Sequence, residues 1–127
     1  MELPGAVPEI PVSHIETAAE YYRTCLGFNL DWGDEASGIA GVSRGQCRLF
    51  LTNPGFRAGN GIGHPALVWL NLSNREEVDA LHNEWLSRQA RILSEPEAKP
   101  WKVHEFLATD LDGNLFRVFY DFAWEER

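Results

Sequence analysis

The stretch Lys99-Pro-Trp-Lys-Val-His-Glu-Phe-Leu-Ala-Thr-Asp-Leu-Asp-Gly-Asn-Leu-Phe-Arg-Val-Phe-Tyr120 decides how this chain reads. Two runs rich in Val, Phe, Leu and Thr flank Asp110-Leu-Asp-Gly-Asn114. There the acidic and Asn side chains can hydrogen-bond their own backbone, and Gly113 tolerates positive φ, so the segment predicts a long β-hairpin. In the first arm His104, Phe106 and Ala108 share one face, while Val103, Glu105, Leu107 and Thr109 share the other. In the second arm Leu115, Arg117 and Phe119 oppose Phe116, Val118 and Tyr120. Both faces are largely apolar, so other elements must cover the hairpin, and a charge turned inward needs a polar cavity or a partner.

Working outward, residues 95–100 read as a loop and residues 92–94 as a short strand. Ser73-Asn-Arg-Glu76 has the spacing of a capping box, which predicts a helix over about residues 74–89 with Val78, Leu81, Trp85 and Leu86 as its apolar face and His82 on its surface. Residues 66–72 form a strong strand. Upstream of it, residues 53–63 hold four glycines and a proline and read as a linker or a lid.

The first half repeats this order. Residues 7–13 are extended, and Pro8 and Pro11 confine them to a sheet edge or to a strand that crosses between subunits. A helix follows over residues 15–26, with Ile15, Ala18, Ala19, Tyr22 and Leu26 on one stripe and Gly27 as its stop. Residues 28–32 form a strand and 33–38 a loop. Residues 39–43 and 47–52 form a hairpin around Arg44-Gly45-Gln46. The chain thus predicts an α+β fold within a single domain spanning residues 1–127. It consists of two βαβββ modules, about 1–53 and 64–127, whose sheets form an open, barrel-like arrangement around a cavity.

Composition narrows the function. The 127 residues are enough for a core without disulfides, and Cys25 and Cys47 read as two buried, reduced thiols. The net charge of −8 excludes nucleic acid, whose phosphates need a basic stripe, and favours cationic or neutral small molecules. The acidic start and the short apolar runs predict a soluble, cytoplasmic protein with no membrane partner. Five Trp and seven Phe exceed what a core requires, so some of these rings are expected to line a ligand groove or an interface.

Val7-Pro-Glu-Ile-Pro-Val12, Tyr21-Tyr-Arg-Thr-Cys-Leu-Gly-Phe28, Ile39-Ala-Gly-Val42 with Leu49-Phe-Leu-Thr52, and Pro100-Trp101, Glu105-Phe106 and Asp110-Leu-Asp-Gly-Asn114 together resemble the bleomycin-resistance proteins. These belong to the glyoxalase/bleomycin-resistance/extradiol dioxygenase superfamily, also called vicinal oxygen chelate. The resemblance runs over nearly the whole chain. It implies a homodimer in which the N-terminal strand crosses to the partner, with ligands in grooves between the subunits.

Many members of that superfamily hold a divalent metal at four strand positions, which carry over here to about Val7, Phe50, His64 and Arg117. Only His64 among these can ligate, so the resemblance implies neither a metal, nor a cofactor, nor catalytic residues. It implies instead a binder of bleomycin-like drugs or another flat aromatic cation, held by ring stacking and negative charge. The matching groove residues are Asp31, Trp32, Ile39, Phe50, Thr52, Leu67, Trp69, Trp101 and Arg117, with Trp32 and Trp101 foremost. A salt bridge to Glu9 is the structural reading of Arg117. The alternative is a metal-dependent glyoxalase or dioxygenase built on displaced ligands, Glu9, His64 and Glu105.

Overall fold

A computed structural model describes residues 1–58 and 63–126. Residues 59–62, within the glycine-rich segment read as a linker or lid, lie outside the described residues. The chain divides into two units, Met1–Ala66 and Leu67–Arg127.

In the first unit, β1 (Glu9–Pro11) is followed by helix α1 (Ile15–Thr24) and strands β2 (Asn29–Asp34), β3 (Ile39–Arg44) and β4 (Cys47–Thr52). The strands lie in the order β1-β4-β3-β2, with β1 parallel to β4 and the other pairs antiparallel. A short helix, α2 (Pro54–Arg57), closes the unit. The second unit holds β5 (Leu67–Asn71), α3 (Arg75–Ser87), β6 (Arg91–Ala98), β7 (Val103–Thr109) and β8 (Leu115–Asp121), then a 3-10 turn, Phe122–Glu126. Its order, β5-β8-β7-β6 with β5 parallel to β8, repeats the first. Two βαβββ modules are therefore present, as the order of elements in the sequence predicts.

Helices α1 and α3 each cover one face of their own sheet. Ile15, Ala18, Ala19 and Tyr22 of α1 are buried, as are Ile10, Val12, Ala40, Val42, Leu49 and Leu51 of the strands beneath. α1 stops at Thr24, two residues before its predicted end, and beyond it Gly27 takes φ +77° while the Phe28 N–H returns to the Tyr22 carbonyl at 2.9 Å. In the second unit Trp85 lies edge-on to Phe106 and Phe116, with ring centroids 5.7 and 5.9 Å away. The helix presents Val78, His82 and Trp85 inward, a stripe with i, i+4, i+7 spacing. His82, which reads as a surface residue, is buried against Phe106, and Leu86, which reads as core, is exposed beside that stripe.

The deciding hairpin closes as its residues dictate. The Asp110 carboxylate accepts from the Asp112 and Asn114 N–H groups and from Asn114 Nδ2, and Gly113 takes φ +84°. The cap of α3 lies one residue later than the sequence spacing suggests: Asn74 accepts from the Glu77 N–H, and Glu77 accepts in return from the Ser73 N–H.

Strand bounds also differ. β1 is shorter than the extended run, spanning Glu9–Pro11, with hydrogen bonds from the Phe50 N–H to the Pro8 carbonyl and from the Val12 N–H to the Thr52 carbonyl at its two ends. β2 runs on to Asp34, with the register slipping between Leu30 and Trp32. β6 extends through Pro96, which reads as loop; on an edge strand a proline forfeits no required hydrogen bond. Both cysteines are free and half-buried rather than fully buried. No helix among the described residues is long and apolar enough to cross a membrane.

Candidate ligand-binding faces

Strand alternation leaves each sheet a second face, turned away from its helix. In the first unit, Glu9, Phe50, Gly41 and Trp32 form one lateral row across β1, β4, β3 and β2. Gly41 has no side chain, and the Trp32 indole lies across the gap to meet the Phe50 ring edge-on, 5.1 Å between centroids. Trp32 remains 42% exposed. The Arg48 guanidinium stands 5.6 Å from the centre of the Phe50 ring. Thr52, fully buried, donates its hydroxyl to Glu9 Oε2 at 3.1 Å, and Ile39 is its partner across β3 and β4. Asp31 is the added residue in the β2 bulge and is exposed.

This row can be disturbed at one atom. A methyl at Gly41 would sit 2.5 Å from Trp32 indole atoms. Gly41→Ala should therefore drive the half-exposed ring off Phe50, with loss of near-ultraviolet circular dichroism, while changing stability by about 1 kcal/mol or less.

In the second unit the corresponding face carries Leu67 beside Leu115, Trp69 beside Arg117 and Leu107, and Asn71 beside Phe119 and Glu105. Trp69 is 50% exposed and meets Phe119 edge-on at 5.4 Å. The Arg117 guanidinium lies 4.9 Å from the centre of the Trp69 ring and donates through Nη1 to Glu105 Oε1 at 3.0 Å. Glu105 is 1% exposed. The hairpin register therefore places its two charges on one face, and Arg117 pairs with Glu105 rather than with Glu9.

The sequence-derived candidates thus fall into two groups. Trp32, Phe50, Ile39 and Thr52 share the first face with Glu9, and Leu67, Trp69 and Arg117 share the second. Asp31 borders the first face, whereas Trp101 stands exposed in the turn between β6 and β7 and belongs to neither sheet. Sequence reasoning missed Gly41, Arg48, Phe119 and the pairing role of Glu105. Counting outward from the Asp110–Asn114 turn gives Thr109 opposite Leu115, Leu107 opposite Arg117 and Glu105 opposite Phe119, which would have found the last two.

Register also revises the metal positions. Val7 lies two residues before Glu9, the partner of Phe50. The matching residue in the second unit lies two before Trp69, the partner of Arg117, and is Leu67. His64 precedes the strand and is exposed. Val, Phe, Leu and Arg supply no metal donor. Of the displaced alternatives, Glu9 already accepts from Thr52 and Glu105 from Arg117. No group of three His, Cys, Asp or Glu among the described residues is placed to hold an ion.

The shifted acids stand at the end of β2 and at the start of the loop after it. Hydrogen bonds from the Ser37 backbone and hydroxyl hold Asp34 below its ordinary value, and the Asn53 amide and the Glu16 N–H do the same for Glu35. Burial pushes the Cys47 thiol up, away from nucleophilic reactivity.

The fold has solved counterparts. A glyoxalase/bleomycin resistance protein/dioxygenase from Nocardioides has a TM-score of 0.76 at 19% identity, covering 94% of this chain and 85% of that one. Lactoylglutathione lyase from Agrobacterium tumefaciens has a TM-score of 0.73 at 17% identity, covering 96% and 98%. TioX from Micromonospora sp. ML1 has a TM-score of 0.70 at 19% identity, covering 93% and 99%. At these identities the likeness is one of fold. No curated protein matches the chain. The family model for the Glyoxalase/Bleomycin resistance protein/Dioxygenase superfamily matches residues 6–118, and with the paired βαβββ modules it establishes that the chain belongs to that superfamily.

Proposed function

We propose that this protein binds a flat, cationic small molecule, of the bleomycin type or another aromatic cation, and sequesters it without chemical change in grooves at a homodimer interface. The observation that carries this reading is Trp69: half-exposed, on the sheet face away from α3, and backed by Phe119 and Arg117. An indole serving the core is buried as Trp85 is, at 1% exposure. A ring fixed at the surface by another ring offers stacking area at little further entropic cost. Trp32 on Phe50 repeats the arrangement in the first unit, beside the carboxylates of Glu9 and Asp31. The charge of −8 adds a field that draws cations in.

The dimer is part of the proposal. In a strand-crossed homodimer, β1 would leave β4 of its own chain and pair with its partner's copy. Sedimentation equilibrium should then give twice the chain mass.

Titration with metal-free bleomycin should quench tryptophan fluorescence saturably in the micromolar range, and Trp69→Ala should weaken binding about tenfold, or about 1.4 kcal/mol. Unchanged fluorescence throughout that range removes the bleomycin-type ligand. Stoichiometric nickel, zinc, manganese or iron in protein purified without chelator would replace the reading with a metal-dependent lyase or dioxygenase.

A further inference from the structure

The second unit's open face contains a polar pair that is only half used. Glu105 Oε1 accepts from Arg117 Nη1, but Glu105 Oε2 and Arg117 Nε are buried and have no hydrogen-bond partner among the described residues. A buried polar atom left open loses its hydration with nothing in return, so the pair is poised to take one more donor and one more acceptor. The two residues are also opposite in charge and cancel. A cation brought to Glu105 would meet the guanidinium, and an anion brought to Arg117 would meet the carboxylate. A neutral group presenting one N–H beside one C=O satisfies both open atoms and leaves no charge uncompensated.

Trp69 borders this pair: it is half-exposed and its ring lies against the guanidinium, so a flat molecule stacked on that ring is brought alongside the pair. We propose that Glu105 and Arg117, beneath Trp69 and beside Phe119, recognise a neutral carboxamide or lactam borne on a flat ring. This rests on the reading of the protein as a binder of flat ligands and adds the polar group by which such a ligand is oriented, whatever charge it carries elsewhere.

The test compares three probes that share one ring: 2-naphthamide, 2-naphthoate and 2-naphthylmethylammonium, titrated by calorimetry at neutral pH. The wild-type protein should bind the amide at least tenfold tighter than either charged probe. Glu105→Gln leaves the guanidinium unneutralised and should raise the affinity for naphthoate at least tenfold relative to naphthamide. Trp69→Ala should weaken all three about equally.

A charged probe that binds the wild type as tightly as the amide overturns the proposal, as does an unchanged ranking in Glu105→Gln. The wild-type ranking decides the matter even where that variant folds poorly. If none of the three probes binds, the carboxamide assignment fails, and the bleomycin titration judges the flat-ligand reading separately.

Discussion

Arg117→Met should destabilise the protein by about 3 kcal/mol, the low end of the range for removing one partner of a buried ion pair. Glu105, 1% exposed, would keep its carboxylate in a site with no cation to answer it, while the partly exposed Arg117 position itself accepts an apolar chain. Methionine retains the aliphatic length of the side chain, so the loss reports charge more than volume. Urea unfolding followed by far-ultraviolet circular dichroism measures it as a lowered midpoint at unchanged slope. The double variant Glu105→Gln/Arg117→Met should recover most of the loss, because the stranded charge is gone. A double variant no more stable than Arg117→Met would mean that the pair is not what couples these positions.

Trp85→Ala should cost about 3–5 kcal/mol, the amount expected when a large buried ring is deleted and a cavity remains. Phe106 of β7 and Phe116 of β8 both pack edge-on against its ring, so its removal loosens α3 from the central strands of its sheet. Trp85→Phe, which keeps an aromatic edge in place, should cost markedly less. Thermal unfolding of the two variants gives the comparison, and equal melting temperatures for Trp85→Ala and wild type would remove Trp85 from the core. Trp69→Ala, by contrast, should change stability little and ligand affinity more, since its ring is half in solvent.

Much of the architecture was legible because its signals are local. The Asp110–Asn114 turn, Gly27 and the apolar stripe of α1 each rest on residues a few positions apart, and each stands where that spacing puts it. Pro96 misled because a proline marks a loop only when its neighbours need its donor, and membership of an edge strand is decided by partners far along the chain. His82 and Leu86 exchanged roles for a similar reason. Polarity ranked them wrongly, whereas the angular position fixed by Val78 and Trp85 placed the imidazole against Phe106.

The candidate site was legible as a set of residue types and less so as an arrangement. Trp32, Phe50, Trp69 and Arg117 were named, but what joins them is register. Gly41, silent in the sequence, is what lets one ring reach another, and Glu105 acquired a partner only when the two arms of the hairpin were counted against each other.

The outer strand of the second sheet has a further consequence. β6 interrupts its pairing with β7 twice, between Ile92 and Ser94 and between Ser94 and Glu97, and Pro96 falls within the second break. A foreign chain approaching that border would find no straight run of amide groups to zip onto, which makes it a poor template for edge-to-edge pairing even though Leu93 there is exposed.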